Sequence, residues 1–566
     1  MHWQKIFPIL TWLPQYQRQD LSQDMQAGLI ASVLLLPQSL AYSVLAGVPV
    51  HFGLLATIIA LLVYSLFGSS RTLSIGPIAI TSILTLSIAK QYAVVGSSDY
   101  LIIVALLALS SGIMQIILGL LRFGFLANLI SQPVNLGFIL ASVILIISNQ
   151  LPNMLGVNSL SDVLATLNVN ANFIIGVIAF IFLLFIRFLL AKLSSKLPFF
   201  RPISNTIKLK TIIKFSPLLL IIFTTIVIAF FDLSHVKVIG QLPTDIFNFD
   251  MNVFSNIPSI LAHINITTFF ANSLSISIIG FISGLSIAQD LAFKKGQKIQ
   301  PNQELIAVGL SNVATGVLQT LPVAGGFSRT IINDDAGAKT PLAGAFTAFF
   351  TILIILFAGT FLQHIAVAVL AAIIIVAVLP LIDFLAIKNI FKYQKSDLMT
   401  LMLTIIMTLT YSLQIGLLSG VISAVLFYIA RIAKPHTAVL GKLPHSEHFR
   451  NIKHYQVETK ADRIFFRIDE NLYFLNSQSW QDAIYHAIHQ QPNIKHFILV
   501  CSSINQIDFT ASHHLMQIQK QLQDLNIKFH FSEVKEPVLK QLKKNAFFEN
   551  FNGQIFISNY QAWQMK

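Results

Sequence analysis

Two short stretches of this 566-residue chain set glycine, proline, hydroxyl and guanidinium groups inside otherwise apolar sequence. In the first, Arg71-Thr-Leu-Ser-Ile-Gly76-Pro77 precedes a short apolar helix expected over 78–89. In the second, Leu321-Pro-Val-Ala-Gly325-Gly326-Phe327-Ser328-Arg329 precedes another, expected over 330–337. Glycine and proline there permit a switch from extended chain to helix, with Pro77 expected at a first helical position. A helix that starts within a membrane leaves its first N–H groups unpaired and its N-terminus partially positive, so two such ends around one cavity favour an anion. Arg329 would add a full charge beside Ser328. A cation costs about 2.5–3.5 kcal/mol at the bilayer centre and is tolerated where it faces a wet cavity or a partner. The alternative is a structural ion pair with Asp334 or Asp335, although Asp335 can instead pair with Lys339 at i,i+4. Gln38 and Tyr42, also at i,i+4, share one helix face and offer an amide and a hydroxyl to the same anion, Tyr42 fitting core packing equally well.

The elements that must position these groups follow from composition. The chain is 55% hydrophobic and 11% charged, with a mean hydropathy of +0.72. Soluble proteins carry about 25% charged residues, so a soluble enzyme, a disordered chain and a disulfide scaffold are excluded as whole-chain descriptions. Cys501 is the single cysteine, which permits no intramolecular disulfide. Apolar runs of membrane-spanning length predict a polytopic α-helical membrane protein of fourteen segments, two of them short. Uncharged pairs of spans are expected over 25–68, broken at Gly47-Val48-Pro49, over 340–382, and over 398–430, hinged near Ile415-Gly416. Each glycine-broken stretch is then the third segment of a seven-segment half. An odd number of spans makes the halves, about 21–232 and 266–431, inverted repeats whose discontinuous helices 3 and 10 meet at the midplane.

The 37 Lys and Arg against 24 Asp and Glu do not point to nucleic acid, because they cluster between the apolar runs. Lys5, Arg18, Arg71, Arg122, the group from Arg187 to Lys214, Lys294 to Lys298, Lys339, Lys388 to Lys395, Arg431 and Lys434 fall on one side, and Lys90 and Lys237 on the other. This places both termini in the cytoplasm of a multi-pass protein of the cell (inner) membrane. Residues 1–20 form a cytoplasmic segment, broken by Pro8 and Pro14, with no cleaved leader expected. Residues 21–433 make the membrane domain and 434–460 a linker. Residues 461–566 make a cytoplasmic α/β domain, with strands at 464–468, 496–501 and 527–532 and helices at 479–489, 511–525 and 537–544. No nucleophile–base pair or metal-spaced Cys/His set appears in that tail, so no enzyme, metal or other cofactor is expected.

At Leu36-Pro-Gln38-Ser-Leu-Ala-Tyr42, Gly68-Ser-Ser-Arg71 through Ser74-Ile-Gly76-Pro77, Pro301-Asn-Gln-Glu-Leu305, Gly325-Gly-Phe-Ser-Arg329 and Thr340-Pro-Leu-Ala-Gly344, the chain resembles the SulP family of anion transporters, to which the animal anion exchangers and prestin belong. Ile507-Asp-Phe-Thr-Ala511 and Val534-Lys-Glu-Pro-Val538 resemble a STAS domain. The resemblance implies a core domain moving against a gate domain, a homodimer in the lipid bilayer, and an anion (sulfate, bicarbonate or chloride) held between segments 3 and 10. Carried over by position, the family's site falls on Gln38, Tyr42, Ile78, Ser328, Arg329 and the backbone of Gly76, Pro77, Ala79, Phe327 and Thr330. Many bacterial members carry an acidic residue in segment 8, linked to H+ or Na+ coupling; here that position is Ser283. Serine neither exchanges a proton near neutral pH nor supplies a full charge to a cation. Proton or sodium symport is therefore weighed against exchange or an uncoupled anion channel, and a nucleobase carrier is disfavoured by a positive cavity. In the tail, Thr510 is expected as a helix N-cap and the STAS domain as the place of a regulatory partner.

Overall fold

The computed structural model describes residues 7–125, 130–157, 170–186, 207–231, 233, 235–240, 258, 262, 264–545 and 547–565. Of the basic group expected between Arg187 and Lys214, residues 187–206 lie outside the described residues. The chain forms two compact units, Met1–Val421 and Ile422–Lys566.

Within the described residues the membrane helices follow the expected order. They are α1 (Arg18–Leu45), α2 (Val50–Phe67), α3 (Ala79–Ala89), α4 (Ser98–Leu120), α5 (Gln132–Leu155), α6 (Ala171–Leu184) and α7 (Ile207–Phe230). Then come α8 (Ile266–Lys294), α9 (Pro301–Val317), α10 (Phe327–Asp335), α11 (Leu342–Leu362), α12 (Val367–Val378), α13 (Lys395–Thr410) and α14 (Leu413–Ala433). Seven helices among the described residues are long and apolar enough to cross a membrane, and several shorter apolar ones accompany them. A short helix, Phe384–Tyr393, lies between α12 and α13. The last pair breaks at Tyr411-Ser412 rather than near Ile415-Gly416, because α14 already starts at Leu413.

The two short helices have the length their role requires. With 11 and 9 residues, α3 and α10 extend about 16 and 14 Å, half of a hydrocarbon core of about 30 Å. Each is preceded by a two-residue strand, β1 (Ile75–Gly76) and β2 (Ala324–Gly325), paired antiparallel with Ile75 opposite Gly325 and Gly76 opposite Ala324. The helix starts differ from expectation. α3 begins at Ala79 with Ile78 as N-cap, so Pro77 precedes the cap because the chain is still extended there. α10 begins at Phe327, which brings Ser328 and Arg329 into its first turn.

Buried polar side chains pin the non-helical backbone that membrane interiors otherwise disfavour. Glu304, 1% exposed at the start of α9, accepts from Tyr64 Oη (2.8 Å), Ser69 N (2.8 Å), Ser69 Oγ (2.6 Å) and Ser70 N (3.0 Å), fixing the entry to β1. Asn312 of α9 brackets the entry to β2: its Oδ1 accepts from Val323 N at 2.7 Å and its Nδ2 donates to Val323 O at 2.9 Å. Asp24 of α1 accepts from Lys339 N, Thr340 N and Thr340 Oγ1, fixing the turn after α10. Glycines let α4 and α9 touch through their backbones: a Cβ on Gly112 would lie 2.6 Å from Gly309 O, and one on Gly309 2.8 Å from Gly112 O.

The second unit carries a six-stranded sheet of order β4-β3-β5-β6-β7-β8. Its strands are β3 (Thr437–Lys442), β4 (Phe449–Asn451), β5 (Arg463–Ile468), β6 (His496–Val500), β7 (Lys528–Ser532) and β8 (Ile555–Phe556), with β5 to β8 parallel. Helices α15 (Ser477–His489), α16 (Phe509–Asp524), α17 (Glu536–Lys544) and α18 (Asn559–Gln564) complete it. β5 and β6 are buried nearly throughout, as parallel strands covered on both faces must be. The stretch 434–460, expected as a linker, instead supplies β3 and β4, and β3 pairs antiparallel with β5. The N-cap of α16 is Asp508 rather than Thr510: its carboxylate accepts from Ala511 N at 2.8 Å, where an anion is favoured over a hydroxyl.

Candidate functional site

The β1–β2 pair brings the beginnings of α3 and α10 together. Gly326 N donates to Ser74 O at 3.3 Å, and Ser74 N donates to Thr330 Oγ1 at 3.2 Å. Thr330, fully buried, is thus spent on the strand pair. Neither helix has a side-chain N-cap bond, and the first intrahelical bonds from beyond each cap run from Ser82 N to Ile78 O and from Thr330 N to Gly326 O. The N–H groups of both first turns therefore have no intrahelical acceptor, and two positive helix ends converge.

A cavity of about 60 Å³ lies at this junction. Gln38, Tyr42, Ile78, Ala79, Ser283, Ser328 and Arg329 line it together with Gly326 and Ile80. Its far wall is Ala377 and Val378 of α12 and Leu381. No carboxylate lines it among the described residues. Of the expected site residues, Gly76, Pro77 and Thr330 act behind the wall rather than in it, and the side chain of Phe327 lies outside the described residues. Gln38 of α1 donates from Nε2 to Ser328 Oγ at 3.2 Å, while its Oε1 is buried without a partner. Ser283, on α8, stands in the same wall.

Arg329 lines the cavity and is at the same time tied into the protein behind it. It is 1% exposed, with Nη1 donating to Pro77 O at 3.0 Å and Nη2 to Ser39 Oγ at 3.2 Å and Thr57 Oγ1 at 3.1 Å. Its Nε is buried with no acceptor. No ion pair involves it among the described residues, and Asp334, one candidate partner, pairs with Lys295. The guanidinium thus ties the start of α3 to α1 and α2 while its charge acts on the cavity through a medium of low dielectric. Gly76 is what admits it: a Cβ there would lie 2.6 Å from Arg329 Cζ. Ser39 and Thr57 were not singled out by sequence reasoning. Each also donates within its own helix, to Leu35 O or Gly53 O, and a hydroxyl so satisfied leaves no signal in a sequence.

A second cavity of about 380 Å³ shares Ile80, Ser283 and Leu381 with the first. Asn135 and Phe138 of α5, Ser286 of α8, Asp383 and Leu417 of α14 also line it. It forms a vestibule along the C-terminal half of α8, bounded also by α3, α5, α14 and the segment that follows α12.

Comparison with known proteins adds independent findings. Residues 21–404 match the model of the sulfate permease family, and residues 454–562 match that of the STAS domain. A probable sulfate transporter of Mycobacterium tuberculosis is 28% identical over 96% of this chain and 95% of its own length. Sulfate transporter 3.2 of Arabidopsis thaliana is 29% identical over 98% and 88%. Solute carrier family 26 member 6 of Homo sapiens is 28% identical over 84% and 64%. Among solved structures, the murine solute carrier 26 family member A9 anion transporter in the inward-facing state superposes with a TM-score of 0.84 at 21% identity, covering 99% of this chain and 93% of that one. The transmembrane domain of a cyanobacterium bicarbonate transporter, BicA, gives a TM-score of 0.54 at 21% identity over 72% and 98%.

Proposed function

The chain belongs to the sulfate permease family, and from that premise we propose that it carries sulfate across the cell (inner) membrane by alternating access. The anion sits in the small cavity against the first turns of α3 and α10, with Gln38, Tyr42 and Ser328 as side-chain contacts. One observation carries this reading: two helix N-termini without side-chain caps and Arg329 surround a cavity with no carboxylate in its wall among the described residues. A doubly charged tetrahedral oxyanion has acceptors in every direction, and unpaired N–H donors with a net positive field suit it. α3 and α10, held to each other by β1–β2 and to α1, α2 and α9 by Arg329, Glu304 and Asn312, move as one core. α12 and its neighbours form the gate. The vestibule lies towards Lys294 and the basic loops, which the charge asymmetry assigns to the cytoplasm, so this conformation is open to the inside. Both termini are then cytoplasmic. The family resemblance implies a homodimer, and a regulatory partner acts at the STAS domain.

Ser283 in the cavity wall favours a second reading of the coupling. Without a carboxylate there, neither H+ nor Na+ finds the partner that symport needs, so exchange or weakly coupled conduction, with bicarbonate or chloride as substrate, is the alternative. Labelled sulfate uptake into liposomes holding the purified protein, with and without inward proton or sodium gradients, separates the readings. Saturable, gradient-stimulated uptake supports sulfate symport and assigns coupling to a group other than residue 283. Counter-flow without gradient dependence supports exchange, and absence of sulfate uptake under every gradient overturns the sulfate assignment.

A further inference from the structure

A polar cavity of about 320 Å³ lies apart from the transport site, on the side of the basic loops. Its wall comes from the N-terminal segment (Pro8, Thr11, Trp12), the loop into β1 (Ser69, Arg71), the α8–α9 loop (Gln297, Lys298) and Pro341 after α10. Among the described residues two cations line it and no acidic side chain does. Neither Arg71 nor Lys298 takes part in an ion pair among the described residues. The carboxylates nearby are already committed: Glu304, behind Ser69, accepts four donors; Asp24 is fully buried under its own; and Asp334 pairs with Lys295. Trp12, 8% exposed, has an indole Nε1–H without an acceptor in the same wall. Two exposed cations without an acidic partner and a spare buried donor in one wall suit an anion.

The surroundings indicate its chemistry. Leu10 (42% exposed) and Leu13 (46%) of the N-terminal segment that supplies Pro8, Thr11 and Trp12 to the wall are themselves exposed, as are Leu21 (42%) in the first turn of α1 and Phe293 (89%) in the last turn of α8. A short amphipathic segment with apolar side chains outward and a basic pocket beneath suits the headgroup boundary of a bilayer. We propose that this cavity binds a phosphate group, that of an anionic phospholipid headgroup, bridged between Arg71 and Lys298. Because its wall joins the loops entering β1 and leaving α10, an occupant would brace the backbone that carries both half-helices.

The test titrates the purified full chain in neutral detergent with phosphatidylglycerol, phosphatidylcholine or inorganic phosphate, reading bound ligand by native mass spectrometry. Phosphatidylglycerol is expected to bind in preference to phosphatidylcholine. Lys298→Gln or Arg71→Gln should each weaken it about fivefold and the double variant roughly 20-fold, at about one charge's contribution per residue. Thr11→Glu, which keeps both cations and changes an exposed side chain, should weaken it comparably while thermal unfolding stays unaltered. Inorganic phosphate that binds and competes with the lipid would support the phosphate chemistry but assign it a soluble source. Phosphatidylglycerol occupancy unchanged in folded Lys298→Gln and Thr11→Glu variants, or equal binding of both lipids, would overturn the proposal.

Discussion

Replacing Gly76 by alanine tests whether Arg329 is seated as the structure places it. The new methyl would lie 2.6 Å from the guanidinium carbon and 2.7 and 2.8 Å from its two terminal nitrogens, where ordinary contact starts at 3.4 Å. The guanidinium must therefore retreat by roughly 0.8 Å. Its bonds to Pro77 O, Thr57 Oγ1 and Ser39 Oγ, at 3.0, 3.1 and 3.2 Å, have no such slack, since hydrogen bonds fade beyond about 3.5 Å. A charge-assisted bond contributes about 1.5–3 kcal/mol, so losing even one displaces the cation at a cost equivalent to a tenfold or larger change in an equilibrium constant. Sulfate uptake by Gly76→Ala protein in liposomes should show a half-saturation raised at least tenfold, with a lowered melting temperature. Gly359→Ala, where an added Cβ meets nothing, should change neither. A folded Gly76→Ala protein with unaltered half-saturation would refute the placement of the guanidinium and the role given to its charge.

Arg329→Ala, which removes a cation of the cavity wall and the tie to Pro77, should weaken anion binding more than Gly76→Ala does, read in the same uptake assay with folding checked by thermal unfolding. Ser283→Glu puts a carboxylate into the cavity wall and should make transport depend on a proton or sodium gradient; rates that ignore both gradients would count against Ser283 as the coupling position. Glu304→Gln replaces a four-bond acceptor by an amide that must turn donors against donors, and should destabilise the membrane unit by about 1–3 kcal/mol per bond lost, visible as a lower melting temperature. In the STAS domain, His530 Nδ1 accepts from Gln554 N at 3.0 Å, so its Nε2 carries the proton towards His496 Nδ1, also at 3.0 Å, and both rings are neutral. Burial, with the cations Lys528 and Arg463 nearby, pushes His530 down to about 4, and burial lowers His496 as well. The unfolded chain then binds more protons below pH of about 6.5, so domain stability is complete above that value and falls as pH drops towards 4. Unfolding followed through the emission of Trp480 and Trp563 should show this decline, and a flat profile would contradict the neutral pair.

Much of the site was legible because the membrane restricts the alphabet. Within apolar runs, Gly76-Pro77, Gly325-Gly326, Arg329 and Gln38 have few structural reasons to be present, so type and position alone announced broken helices and a positive cavity. Period and length likewise marked the spans and the strands β5, β6 and β7. What escaped was whatever depends on a partner distant in the chain. Nothing local marks Glu304 as the anchor of a loop 235 residues earlier, or Asn312 and Asp24 as clamps on extended backbone. Ser39 and Thr57 already satisfy themselves within their helices, and β3 and β4, short and partly polar, form strands because β5 offers them an edge. The helix starts moved by one to three residues because strand pairing, not the position of Pro77, decides where extended chain ends. Sequence by itself determined which groups enter the membrane, since burial there is too costly for idle polar residues. Only the tertiary structure decided what each group does, making Arg329 a strut between α1, α2 and the entry to α3 as well as a charge at the cavity, because a guanidinium's energy lies in acceptors that the fold alone can bring within about 3.2 Å.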